Sequence, residues 1–232
     1  MKSTIISLAA ALAILATGCT KKEELETCMG SCTTVVGRLI TANGQQPLAN
    51  TPVEVRWHYG QAYQPKSTLK AQATTDANGN YRLSFFIKDE ELTDGYFSVR
   101  YTPNKSQYYT IGEDSQVLNN ARRDTTFTLP AYLIPRKAYV RLVITNPADV
   151  ARYAFMSDFN TTYGLSTTFS RKIQGGGPVV FWDGLPIENP LPIAGDQPIL
   201  VKGYKKKNSL TEYTTDSLFI PAGSTYTYSV TF

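Results

Sequence analysis

Histidine is almost missing from this chain: His58 is the one imidazole in 232 residues. Chemistry that needs an imidazole base has a single residue to draw on. Cysteine is nearly as scarce, and Cys19, Cys28 and Cys32 all fall near the start. Two thiols and one imidazole after Cys19 fall short of the four ligands of a structural zinc site. Neither a metal nor a cofactor is therefore expected. There is no Gly-x-Ser-x-Gly elbow and no glycine-rich phosphate cradle. Charge of one sign is also lacking. The net charge is +4, and its carriers are scattered apart from Lys205-Lys206-Lys207, which adjoins an apolar strand pattern. That run reads as a solvated hairpin end, not the broad basic face that nucleic acid requires. After residue 18 no stretch sustains helical periodicity.

What is abundant is tyrosine and threonine. The fifteen tyrosines dominate an aromatic content of 12%. This mixture favours strands, and a hydrophobic share of 42% is enough for a sizeable core. Turn chemistry is clearest at Thr74-Thr75-Asp76-Ala77-Asn78-Gly79-Asn80-Tyr81. Leu69, Ala71 and Ala73 alternate before it, and Tyr81, Leu83, Phe85 and Ile87 after it. The reading is a β-hairpin, with Asn78-Gly79 supplying positive φ angles and Asp76 bonding backbone amides two residues on. Asp76, Asn78 and Asn80 also alternate as at the start of an EF-hand loop, but the closing glutamate is absent at the required spacing.

The N-terminus has the form of an export signal. Lys2 precedes an apolar run from Ile5 to Ala16, then small residues, then Cys19. The run is short for a membrane span. Leu15-Ala16-Thr17-Gly18-Cys19 resembles a bacterial lipobox, with Ala16 where the usual pattern has Leu. The resemblance implies cleavage after residue 18, lipidation of Cys19 and a membrane-held protein. Lys21-Lys22-Glu23-Glu24-Leu25-Glu26 reads as a solvated tether. It is similar to the charged segment that marks surface-exported lipoproteins of Bacteroidota-type bacteria, implying an outer-membrane protein facing the cell exterior; a plain linker on a periplasm-facing anchor is the alternative. Cys28 and Cys32 can close a small disulfide loop outside the cytoplasm, or remain free or pair between chains.

Residues 33–130 read as a first antiparallel sandwich. Val53, Val55, Trp57 and Tyr59 alternate with Glu54, Arg56 and His58, which turns His58 toward solvent. Phe97, Val99 and Tyr101 form another inward set, and Thr125, Phe127 and Leu129 close the domain. Lys105 to Arg123 reads as a long polar connection. Val36-Gly37-Arg38-Leu39, then Gln46-Pro47-Leu48-Ala49-Asn50-Thr51-Pro52-Val53-Glu54-Val55, then Thr75 to Tyr81 resemble the carboxypeptidase regulatory-like domain. That family implies a seven-stranded, transthyretin-like β-sandwich with an accessory role and no catalytic residues.

Residues 131–232 read as a second all-β sandwich, weakly similar to C-terminal β-domains of other Bacteroidota lipoproteins. Its expected strands cover Ala138–Ile144, Leu165–Ile173, Val179–Trp182, Ile199–Tyr204 and Tyr226–Phe232. Pro186, Pro190, Pro192 and Pro198 read as an extended loop. The fold expectation is thus all-β: two consecutive antiparallel sandwiches after a signal (1–18) and a tether (19–32).

No catalytic constellation emerges, so the expectation is a non-enzymatic binding or assembly module with a glycan or envelope-protein partner. Two alternatives stand beside it: a periplasm-facing structural lipoprotein, and a carbohydrate-active enzyme using acids such as Asp158, Asp183 and Glu188. Loop aromatics outside the strand alternation are the candidate ligand contacts: Tyr63, Tyr108, Tyr109 and Trp182.

Overall fold

The computed structural model describes residues 25, 28–146, 155–165, 177–182, 187–207 and 210–231. The signal, Cys19 and most of the tether, the segment 166–173 and Asp183 lie outside these residues. The chain is all-β, and the one helix among the described residues, α1 (Asp89–Thr93), is a single turn.

The first half contains β1 (Thr33–Thr41), β2 (Gln46–Pro47), β3 (Pro52–Tyr59), β4 (Lys66–Thr74) and β5 (Asn80–Phe85). After α1 come β6 (Tyr96–Tyr101), β7 (Ser115–Leu118), β8 (Thr126–Thr128) and β9 (Tyr132–Leu133). β1 is the central strand. Its first part runs between antiparallel β5 and parallel β8, and its second part between β2 and β9. The facing sheet has the order β4-β3-β6-β7. Val35, Leu39, Leu83 and Phe85 from one sheet meet Val53, Val55, Phe97 and Val99 from the other in a shared core. Strand alternation produces this directly, because residues two apart share a face.

The second half contains β10 (Lys137–Thr145), β11 (Phe155–Thr161), β12 (Val179–Trp182), β13 (Leu191–Ala194), β14 (Pro198–Lys207), β15 (Leu210–Phe219) and β16 (Thr225–Thr231). Its sheets are β13-β10-β16 and β12-β11-β14-β15. This repeats the wiring of the first half. In each, the first strand is central, flanked by an antiparallel fourth strand and a parallel last strand. In each, the remaining four pair in the order third, second, fifth, sixth, once β2 and β9 are set aside as short additions to β1.

Several sequence expectations need correction. The segment 74–81 does not join two paired strands. Asp76 accepts from the Gly79 amide at 2.9 Å and donates to Asn80 O at 2.8 Å, so a tight turn forms locally. Its flanks then separate: β4 pairs with β3, and β5 pairs with β1. The turn carries the chain between sheets, because period-two alternation reports which face is buried and not which strand is the neighbour. Gly79 alone takes a positive φ, +75°, while Asn78 does not. Residues 105–123 are not simply a loop, since β7 lies within them with Gln116 and Leu118 buried. The proline-rich segment includes β13, where Pro192 lies opposite Tyr139. Proline is tolerated there because β13 is an edge strand. β11 was not anticipated, although Phe155, Ser157, Phe159 and Thr161 alternate inward.

The two halves are joined closely. Leu133 exchanges both backbone hydrogen bonds with Gly164 at 2.8 Å, and the Lys137 amide donates to Gln107 O. Tyr163 and Ala194, from the second half, pack into the first core.

Candidate functional site

The four loop aromatics do not converge on one site. Tyr63 is 77% exposed in the turn between β3 and β4. Tyr109 is buried in the first core, with Tyr108 half-buried against it. Trp182 is buried in the second core. Burial leaves Tyr109 and Trp182 no face for a ligand. Strand alternation explains Trp182: it and Val180 point inward from β12, which sends Val179 and Phe181 outward.

Tyr109 belongs to a tyrosine cluster at the junction of the two halves. Tyr132 lies between Tyr101, tilted against it at 4.9 Å, and Tyr163, edge-on at 6.3 Å, and Tyr109 meets Tyr163 edge-on at 6.2 Å. The hydroxyls of Tyr81, Tyr101, Tyr132 and Tyr163 bond internally. Tyr81 and Tyr101 share a hydrogen bond of 2.8 Å, and Gln116 donates to the Tyr101 oxygen at 2.7 Å. The Tyr163 and Tyr132 hydroxyls donate to the buried Asp114 carboxylate. Desolvation pushes the Tyr81 and Tyr109 hydroxyls up to about 12. Desolvation also raises the Asp114 carboxyl above its ordinary range, against the opposing pull of its two tyrosine donors. A buried hydrogen-bonded network of this kind fixes geometry, and its Asp114 carboxylate is turned inward onto tyrosine hydroxyls.

His58 sits half-buried on the outer face of β3. Its Nε2 lies 2.7 Å from Ser98 Oγ, and its ring stacks on Tyr96 at 4.8 Å. Burial lowers its pKa. No carboxylate orients the ring by a hydrogen bond among the described residues, so the arrangement lacks the third member of a triad. Of the candidate acids, Asp158 is half-buried on β11 between Val179 and Lys202, and Glu188 is exposed in a loop. At the turn, Asp76 Oδ1 accepts from the amides of Asn78 and Asn80 at 2.9 and 2.8 Å. Those bonds, led by the one from Asn80, hold its carboxyl below the ordinary range. Among the described residues no cluster of metal-ligating side chains forms. Cys28 and Cys32 are joined by a disulfide, their Cα atoms 5.8 Å apart.

The strongest surface feature is one the sequence did not single out. On the outer face of the sheet β12-β11-β14-β15, strand register aligns Phe181, Met156, Tyr204 and Tyr213 in one row. Phe181 is 63% and Tyr213 78% exposed. The Tyr204 and Tyr213 rings lie 5.6 Å apart. Three strand spacings make the row about 14 Å long. Val179, Asp158, Lys202 and Thr215 form the parallel row beside it. The alternation within each strand was legible; the register that lines up four strands was not.

No family model matches the chain, and no curated protein matches it. Solved structures give distant likenesses. A 9R-lipoxygenase from Cyanothece PCC8801 aligns with TM-score 0.35 and 16% identity over 50% of this chain and 19% of its own. The Bacillus anthracis TIE protein aligns with TM-score 0.34 and 10% identity over 86% of this chain and 34% of its own. The shaft pilin SpaA from Lactobacillus rhamnosus GG aligns with TM-score 0.33 and 9% identity over 86% of this chain and 97% of its own. The chain thus spans about a fifth of the lipoxygenase and a third of the TIE protein.

Proposed function

We propose that this chain is a non-enzymatic, lipid-anchored module of the bacterial outer membrane, facing the cell exterior, which holds a glycan along the outer sheet face of its second sandwich. The observation that carries the reading is the row Phe181-Met156-Tyr204-Tyr213, exposed at its two ends and half-buried between them. Large apolar side chains in a contiguous exposed patch mark interaction surfaces. Aromatic faces bury area at little entropic cost, because a ring has few rotamers. The row beside it supplies a carboxylate, an ammonium and a hydroxyl within reach of sugar hydroxyls. The anchor rests on Leu15-Ala16-Thr17-Gly18-Cys19 and the charged segment after it.

The binding half is tested by glycan array, followed by titration of the best binder. Tyr213→Ala combined with Phe181→Ala is expected to abolish binding without lowering the melting temperature; unaltered affinity overturns the site. The anchor half is tested by radiolabelled fatty acid. Label on the wild type, lost in Cys19→Ala, supports it, and an unlabelled wild type ends it. Protease cleavage on intact cells distinguishes surface display from a periplasm-facing anchor.

A further inference from the structure

A second surface, on the first sandwich, has different chemistry. A groove of about 640 Å³ is lined by Arg38, Arg82, Asp76, Asn80, Thr74 and Thr128, among others. In the β1–β5 register, Arg38 faces Asn80 and Val36 faces Arg82. The two arginines are thus diagonal neighbours, their Cβ atoms about 7–8 Å apart. Val35, Leu39, Tyr81 and Leu83 fill the core-facing positions of the same strands, so both arginines lie on the outer face and are exposed.

Neither guanidinium is neutralised by contact. Arg38 Nε donates to Asn78 O at 3.0 Å, which steadies the group and leaves its two amino ends uncommitted. Arg82 has no hydrogen bond or ion pair among the described residues. Asp76 is held ionised by the amides it caps, so its charge also acts on the groove. Two positive charges against one negative leave a single net positive charge. That net charge attracts an anion, and the two guanidiniums suit a planar carboxylate. Asn80, Thr74 and Thr128 offer hydroxyl and amide partners around the charged pair.

We propose that this groove binds the carboxylate of an acidic saccharide between Arg38 and Arg82. A planar guanidinium can engage a carboxylate through two parallel hydrogen bonds, and the surrounding polar side chains then meet ring hydroxyls. The site is separate from the aromatic row and does not depend on it.

The test is calorimetric titration of the whole chain from residue 19 with trigalacturonate and with its methyl ester, which has nearly the same shape and no charge. The acid is expected to bind at least about tenfold more tightly than the ester. Arg82→Gln is expected to remove most of that difference, whereas Tyr213→Ala leaves it intact. The Arg82 side chain makes no hydrogen bond or ion pair among the described residues, so this variant is expected to keep the fold, and an unchanged thermal melt verifies it. Equal binding of acid and ester overturns the proposal. So do an acid affinity indifferent to Arg82→Gln, an absence of binding at millimolar trimer, or equally effective competition by inorganic phosphate.

Discussion

The two halves share their strand order and differ in what they bury. The first encloses charge: Lys70 Nζ lies 2.7 and 2.9 Å from the two Glu91 carboxylate oxygens, with both side chains almost wholly buried. Asp114 and its tyrosines add a second polar centre. Among the described residues the second half buries no charged side chain. Its polar interior is neutral, with the Gln197 amide donating to Thr161 Oγ1 at 2.6 Å and to Thr162 O at 3.1 Å. The sixth strands of the shared wiring contrast most. In the first half this is β7, four residues with alternate ones buried; in the second it is β15, ten residues with only Leu218 buried. One wiring diagram therefore accommodates a closed, polar-pinned sandwich and one with an open face. The aromatic row lies on the open one.

The buried ion pair offers the sharpest way to break the contrast. Glu91→Ala removes the carboxylate that meets the buried Lys70 ammonium and is expected to cost about 3–5 kcal/mol, read by denaturant unfolding. Lys70→Met with Glu91→Leu is expected to recover most of that loss, because the apolar pair leaves no unmatched charge. A double variant as unstable as Glu91→Ala would show that the pair also organises α1, whose Lys88 amide donates to Glu91 Oε2 at 2.9 Å.

Gly79 comes next. A Cβ there would stand 2.3 Å from Leu39 O and 3.1 Å from Leu48 N, at φ +75°. Gly79→Val is expected to destabilise by roughly 2–3 kcal/mol through backbone strain and displacement of the turn from β1. An unchanged denaturation midpoint would detach this turn from the first sandwich.

Asp114 gives a smaller, pH-dependent effect. Its folded carboxyl binds a proton more readily than the unfolded one, because burial raises its pKa. Its contribution to stability is therefore present at acidic pH. It declines as pH rises from the unfolded carboxylate range through the raised folded pKa. Asp114→Asn is expected to flatten that decline in urea melts taken across the acidic range; an unaltered slope would assign the titration elsewhere. The smallest effect belongs to the open face. Tyr213→Ala is expected to shift stability by no more than about 0.5 kcal/mol, and a larger loss would mean the row is structural.

The sequence was most informative where one residue type has one physical use. The alternation in Val53, Val55, Trp57 and Tyr59 predicted both the strand and its buried face. Asp76 follows from its side-chain reach: its bond to the Asn78 amide, two residues on, is the one expected, and the bond to Asn80 goes beyond it. Pairing was much less legible. β4 and β5 read as partners because a tight turn joins them, yet β-pairing is settled by the register of distant segments. The same limit hid the aromatic row, which needs four strands aligned before Phe181 and Tyr213 become one surface. Tyr109 is buried because a polar stretch such as residues 105–123 says little about what packs beneath it, whereas Trp182, at the end of an apolar run, follows the inward alternation of β12.

One further consequence follows from β10 and β16. They are the first and last strands of their sandwich, they lie side by side, and they run in the same direction through seven registered pairs from Tyr139–Thr225 to Thr145–Thr231. A pull applied between Lys137 and Thr231 acts along both strands in opposite senses. It loads the whole ladder in shear, and the pairs must give way together, where an antiparallel hairpin pulled from its open end would unzip one pair at a time. The sandwich that carries the row is thus wired to resist tension applied between its two ends along these strands.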